Sequence, residues 1–414
     1  MNDVARTPAT RVLVTTATVS TACVLPPFLI GATAVQLGAD LDVSTAGTGV
    51  AVGVFFAAAS LASAVLGRLT ERRGPAPSLR AAAATSAVCQ LGLAVAARSL
   101  PVLLAFLAVA GSANALAHPA ANLLLARNLP VNRQGLGFAI KQASIPLATL
   151  LAGFALPAIV LTAGWRWAFV ASGALAAVSI ATVPHVPRVP TTGRRRATGD
   201  RSGDLPLRVM AWLACGIALG AASAGTLGAF FVSAGVDAGL TEGTAGLVLA
   251  GGSAVGVATR LFAGVRADRR EGGHLRVVAL MLTGGAVFYC LLATQTQAAF
   301  VVAGPLAFAT GWAWPGLSNL AVVRVNPKAP GAATGIAQTG TYLGAVVGPV
   351  GFGLVADRVS FRAAWLGAAV TALLAAVTIA QARRRVREWR RAGGGVEKRE
   401  RREPFAPPVD PPQE

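Results

Sequence analysis

The sequence is short of groups that do chemistry, and each shortage excludes a class of protein. Its 414 residues hold 17 acids and 3 histidines. Lysine stands only at Lys141, Lys328 and Lys398, and none closes a Gly-x-x-x-x-Gly-Lys phosphate loop, so no nucleotide site of that type powers the protein. Neither His-Glu-x-x-His nor Gly-x-Ser-x-Gly occurs. His118, His185 and His274 are far apart and only His118 lies in an apolar run, so no metal cluster is assembled from histidine. No enzyme activity, cofactor or metal is expected. Cys23, Cys89, Cys215 and Cys290 all fall inside apolar runs, where cysteine is a small packing residue rather than part of a disulfide framework.

What is present is apolar. With 54% hydrophobic residues, 13% charged and a mean hydropathy of +0.61, too little polar surface remains to face water on all sides. Crossing about 30 Å of hydrocarbon takes about 20 helical residues. Runs of that kind fall near 12–37, 45–66, 79–97, 101–126, 135–161 and 165–183, and again near 208–234, 241–263, 275–294, 298–323, 331–356 and 361–381. The first follows Arg6 and Arg11 but is too long for a signal peptide and leads straight into another span. The expected fold is an all-α membrane protein of 12 transmembrane helices in two six-helix repeats.

The repeat shows in the residues themselves. Gly67-Arg68-Leu69-Thr70-Glu71-Arg72 ends one span, and Gly264-Val265-Arg266-Ala267-Asp268-Arg269 ends another 197 positions later. At the same offset Ser44 and Gly49 meet Thr241 and Gly246, and Arg127 and Pro130 meet Arg324 and Pro327. At 198, Gly137 and Gly153-Phe154 meet Gly335 and Gly351-Phe352. The expected division is residues 1–183, a linker at 184–207, residues 208–381, and a basic then Pro-rich tail at 382–414.

Net charge of +19 invites a nucleic-acid reading, which the distribution answers. With the amino terminus inside, the only Lys and Arg outside cytoplasmic segments are Arg98, Lys141, Arg166, Arg260, Arg358 and Arg362. That is the positive-inside bias of a protein in the cell membrane with both termini cytoplasmic. The first outer loop carries Asp40 and Asp42 and no base. The linker, with Pro184, Pro187, Pro190 and Arg194-Arg195-Arg196, has no apolar period and reads as flexible. The run from Arg383 to Arg391 is expected to prolong the last helix, with Trp389 at headgroup level and its bases drawn to anionic lipid. The expected partners are membrane lipid and a small-molecule substrate with an optional coupling proton. No nucleic acid is expected, and the protein is expected to be a monomer.

Small residues and prolines mark where helices pack and bend. Gly340, Gly344 and Gly348 recur every four residues, and Gly252, Gly256 and Gly264 share another face; such faces let helices approach closely in lipid. Pro26-Pro27, Pro146, Pro315 and Pro349 break backbone bonds at membrane depth, which is tolerated where neighbours or a water-filled cavity satisfy the freed carbonyls.

Twelve spans, a parallel duplication, a long basic linker and two copies of Gly-x-x-x-Asp/Glu-Arg resemble the major facilitator superfamily from residue 12 to 381. The resemblance implies that Glu71 with Arg72, and Asp268 with Arg269, following Gly67 and Gly264, belong to a cytoplasmic gate. Pro75-Ala76-Pro77 replaces further bases after the first copy and implies a weaker latch there. Gly164-Trp165-Arg166-Trp167 is also similar to these transporters. The drug-efflux signature is missing: Leu107 stands four residues before Gly111 where an Arg is expected, and Gly348-Pro349 lies in helix 11 instead of helix 5. Helix 5, with Phe138-Ala139-Ile140-Lys141-Gln142, Pro146 and Gly153, resembles the cyanate-permease-like group and its organic-anion relatives.

Ionisable groups inside a bilayer are candidates for function. No acid lies deep in a span, whereas Lys141 in helix 5 and Arg260 in helix 8 do; their repeat counterparts are Thr339 and Ser63. Two cations without a buried carboxylate point to an anion, although both side chains are long enough to snorkel to headgroups. Asn114, His118 and Asn122 share one face of helix 4, and His118 either meets substrate, carries a proton or bonds a neighbouring carbonyl. Trp314, Gln338 and Tyr342 in the second half suit an apolar or planar part of a solute, or simple packing. The reading is a secondary active transporter that moves a small anionic organic solute by alternating access. Lys141 would supply charge, and His118, Asn114 and Gln142 the orienting hydrogen bonds. Proton-coupled efflux of drug-like amphipathic compounds is the alternative, and a transporter-derived sensor with a partner-binding tail a third.

Overall fold

The computed structural model describes residues 8–184, 204–268, 273–326 and 329–392. Among them there is no strand, and twelve long helices run back and forth: α1 (Ala9–Ala32), α2 (Thr45–Arg73), α3 (Pro75–Ala96), α4 (Leu100–Asn128), α5 (Gly137–Ala163), α6 (Trp165–Thr182), α7 (Leu207–Asp237), α8 (Glu242–Asp268), α9 (His274–Leu292), α10 (Gln297–Val325), α11 (Pro330–Arg358) and α12 (Phe361–Arg391). Eleven are long and apolar enough to cross a membrane. The other, α6, is 18 residues long and opens on Trp165-Arg166-Trp167, which makes its first turn polar. Residues 185–203 of the expected linker, 393–414 of the expected tail, and Arg269 lie outside the described residues.

Local chemistry explains the helix ends. Gly74, at φ +87°, ends α2 and Pro75 begins α3, because proline needs no hydrogen-bond acceptor for a first-turn N–H. At the end of the bundle away from the chain termini, Asp40 of the short helix Ala34–Leu41 receives the Trp165 indole N–H at 2.9 Å and Arg166 Nη1 at 2.5 Å. Arg166 also stacks 4.4 Å above the Trp165 ring. These bonds, the indole first, hold the Asp40 carboxyl below the usual carboxylate range.

Within the second half, the glycine face of α11 is a seam against α7. A Cβ on Gly340, Gly344 or Gly348 would fall 2.4, 2.1 and 2.2 Å from the carbonyl oxygens of Ala214, Ala218 and Ala222. The α8 face packs at Gly252 against the Phe308 ring, but Gly264 meets nothing within 4 Å, so that seam ends before the turn.

The two halves touch by backbone only toward the far end. Gly31 abuts the carbonyl of Gly228, Gly49 that of Pro349 and Gly153 that of Gly246, with added Cβ atoms at 2.5, 2.3 and 2.6 Å. Toward the termini end, Gly67, Gly264 and Gly335 have open space around them. The halves part there around a cavity.

Beyond the bundle, α12 continues to Arg391 with Ala382 and Val386 buried and Trp389 packed against the second half. Arg385 lies 4.5 Å over the Trp212 ring.

Candidate functional site

The prolines that bend the spans each orphan a carbonyl, and the structure shows what satisfies three of them. Proline has no N–H, so the carbonyl four residues earlier loses its helical donor. Pro26 orphans Ala22 O, which accepts from Ser86 Oγ and Gln90 Nε2, both at 3.3 Å; Ser172 Oγ in turn donates to Gln90 Oε1. Pro315 orphans Gly311 O, which accepts the Trp314 indole N–H at 3.0 Å. Pro146 orphans Gln142 O, and its donor comes from the other half of the molecule: Arg260 Nη1 of α8, at 3.3 Å. Arg260 Nη2 donates at 2.7 Å to Trp312 O, where α10 widens into a π turn over Phe308–Trp312. Arg260 thus ties the break in α5 to the break in α10.

Around these breaks lies a cavity of about 560 Å³, bounded by both halves. The eight candidate binding residues all line it: Asn114, His118, Lys141, Gln142, Arg260, Trp314, Gln338 and Tyr342. Their circumstances differ. Lys141 is 5% exposed and its Nζ donates to Gln142 Oε1 at 3.3 Å, a neutral amide. His118 is half-buried, and the charge of Lys141 reaches it. Asn114 is buried, and its Oδ1 has no partner among the described residues. Arg260 is committed to the two carbonyls, and Trp314 is 1% exposed with its N–H used internally. The Tyr342 hydroxyl lies against Ser63 of the first half and Gln338 of its own helix. No Asp or Glu lines the cavity among the described residues.

Residues beyond those eight also line it. Phe28, directly after Pro26-Pro27, meets Trp312 across the halves with ring centroids 5.7 Å apart and planes at 59°. Phe56, Ser63, Asn122, Asn319 and Thr339 line the cavity as well. The repeat offset carried a signal for several: Asn122 lies 197 positions before Asn319, Ser63 197 before Arg260, and Lys141 198 before Thr339. Corresponding positions of the two repeats thus face one space.

The turn residues lie elsewhere. Gly67, Glu71 and Arg72 occupy the exposed end of α2 away from the cavity, and Glu71 has no hydrogen bond or ion pair among the described residues. Gly264 and Asp268 close α8.

Two sets of six helices enclosing a polar-lined cavity at membrane depth define a multi-pass membrane transporter. The Major Facilitator Superfamily model matches residues 13–214 and again 213–409, and the chain belongs to that family. No curated protein sequence matches the chain. Among solved structures it is similar to the xylose transporter XylE from E. coli in an inward open conformation, at 16% identity and TM-score 0.73, over 89% of this chain and 94% of that one. It is likewise similar to a bacterial homolog of the human lysosomal transporter Spinster in an inward-facing, occupied conformation, at 16% identity and TM-score 0.71, over 91% and 97%. The nucleoside transporter NupG aligns at 14% identity and TM-score 0.71, over 90% and 99%. At these identities the likeness is one of fold.

Proposed function

We propose that the protein carries a small organic anion across the cell membrane by alternating access, with both termini in the cytoplasm. In this reading the described state is open to the cytoplasm. The backbone crossings at Gly31, Gly49 and Gly153 seal the outer end, and the Glu71 turn at the end of α2 is unlatched. The unpaired Glu71 supports that reading, as does the open space around Gly67, Gly264 and Gly335.

The observation that carries the anion is Lys141. A nearly buried ammonium costs several kcal/mol of hydration unless an opposite charge compensates it, and its one partner is an amide oxygen. A bound carboxylate or similar anion supplies the missing charge, with His118, Asn114 and Gln142 orienting it. Arg260 supports the site through the backbone of Gln142.

The test is thermal stabilisation of the purified protein by a panel of small anions, neutral solutes and lipophilic cations, repeated on Lys141→Ala. A ligand at a hundredfold excess over its Kd stabilises by about 2.7 kcal/mol. Stabilisation by anions that disappears in the variant supports the reading. The aromatic lining favours a second reading, efflux of an amphipathic drug-like compound. Stabilisation by lipophilic cations alone, unchanged in Lys141→Ala, establishes that one instead.

A further inference from the structure

We propose that the cavity is built for a monovalent aromatic carboxylate of one or two rings. The inference rests on the anion reading above and adds to it a charge count and a shape. The cationic side chains lining the cavity among the described residues are Lys141 and Arg260, with His118 and Tyr342 the other titratable groups there. Arg260 spends one bond from Nη1 and one from Nη2 on the carbonyl that Pro146 orphans and that of Trp312, which anchors its guanidinium between the breaks in α5 and α10. Lys141 gives up only a 3.3 Å contact to the side chain next to it. One mobile cation is therefore on offer, which matches one carboxylate, while Arg260 stays fixed at its carbonyls.

The remainder of the lining is mostly carbon. Phe28 and Trp312, one from each half, form a tilted aromatic pair, and Phe56 and Tyr342 line further wall. A planar ring packs on such surfaces edge-to-face or offset. A volume of about 560 Å³ is within the range of organic-ligand pockets and far exceeds the needs of acetate. Because Phe28 and Trp312 come from opposite halves, a ring seated against both contacts both moving parts at once. A small aliphatic anion held by Lys141 alone does not.

The experiment is calorimetric titration of the full chain in lipid nanodiscs with 2-naphthoate, benzoate, acetate, benzamide and terephthalate. Benzoate and 2-naphthoate are expected to bind at least tenfold more tightly than acetate, the neutral benzamide and the dianionic terephthalate. Lys141→Met should abolish the preference for benzoate over benzamide, and Lys141→Arg should retain it. Phe28→Leu should narrow the gap between 2-naphthoate and acetate without changing that between benzoate and benzamide. Acetate as tight as benzoate overturns the aromatic assignment, and terephthalate as tight overturns the single charge; both leave an anion transporter standing. Benzamide binding as well as benzoate overturns the inference and the anion reading together, as does a folded protein that binds none of the anions.

Discussion

Replacing Arg260 with methionine, which keeps an unbranched apolar stem and removes the guanidinium donors, tests how the two halves are tied. The guanidinium makes one short bond, 2.7 Å to Trp312 O, and one long bond, 3.3 Å to Gln142 O. A hydrogen bond to a charged group contributes about 1.5–3 kcal/mol, and the long bond belongs at or below the low end. The half-buried cation also regains hydration cost when it is removed, which offsets part of the loss. The net effect should be about 2 kcal/mol, with Gln142 O left with no helical donor because Pro146 follows four residues later. If the bond across the halves exists only while the termini end is open, that figure shifts the equilibrium between states by about 30-fold. The assay is the rate at which a water-soluble maleimide modifies Gly335→Cys, a cavity position with open space around it, after the exposed Cys215 and Cys290 are replaced by serine. Arg260→Met should slow modification, and Arg260→Lys, which can still reach one carbonyl, should slow it less. Unchanged modification and unchanged melting temperature in Arg260→Met would refute the argument.

Gly49→Ala places a methyl 2.3 Å from the Pro349 carbonyl across the halves, so it should disfavour the closed outer end and slow modification of Gly335→Cys with little loss of melting temperature. Gly344→Ala makes an equally close clash, 2.1 Å from Ala218 O, but inside one half, so it should lower the melting temperature by the equivalent of about 1–3 kcal/mol whichever state is populated. Asp40 gives a pH dependence: its carboxyl is held below the usual range, so its bonds to Trp165 and Arg166 stabilise the protein above that range and weaken as pH falls through the depressed value. Melting curves of wild type and Asp40→Asn should therefore converge only in strong acid. The difference at neutral pH should be small, about 1 kcal/mol or less, because the pair is partly exposed at 41% and 44%.

The helices were legible because a bilayer imposes a length, and the repeat because its turns kept the same residues at a fixed offset. The α11 seam was legible for a related reason: one glycine per turn has little use except close approach, and the carbonyls of α7 are what it approaches. The polar side chains in the spans were legible as a group, since membrane depth gives Asn114, His118 or Gln338 few places other than a cavity. Their individual circumstances were not. Arg260 and Lys141 look alike in sequence, yet one is bound to carbonyls and the other has only an amide. The difference depends on Pro146 and Pro315 bringing two helix breaks beside α8, a juxtaposition no local pattern encodes. Phe28 was missed because an aromatic in an apolar span looks like core until the opposite half places Trp312 against it.

The repeat pairs around the cavity sharpen this distinction. Where the two copies agree, as at Asn122 and Asn319, they present the same group from both halves. At the two cations the copies disagree, and a hydroxyl residue stands in the other copy: Thr339 for Lys141, and Ser63 for Arg260. A fold that needed a charge at these positions would carry it in both copies, so each cation serves something only one half does. For Arg260 the structure shows that service, a donor for the carbonyl that Pro146 leaves open. Pro146 itself has no proline counterpart at Gly344, where α11 keeps a glycine for its seam with α7. The break and its cation are thus private to one side of the cavity. Lys141 stands one residue before that carbonyl, beside the same break, and among the described residues no acid lines the cavity to pair with its charge. In the proposed reading, the solute supplies the partner that this asymmetry lacks.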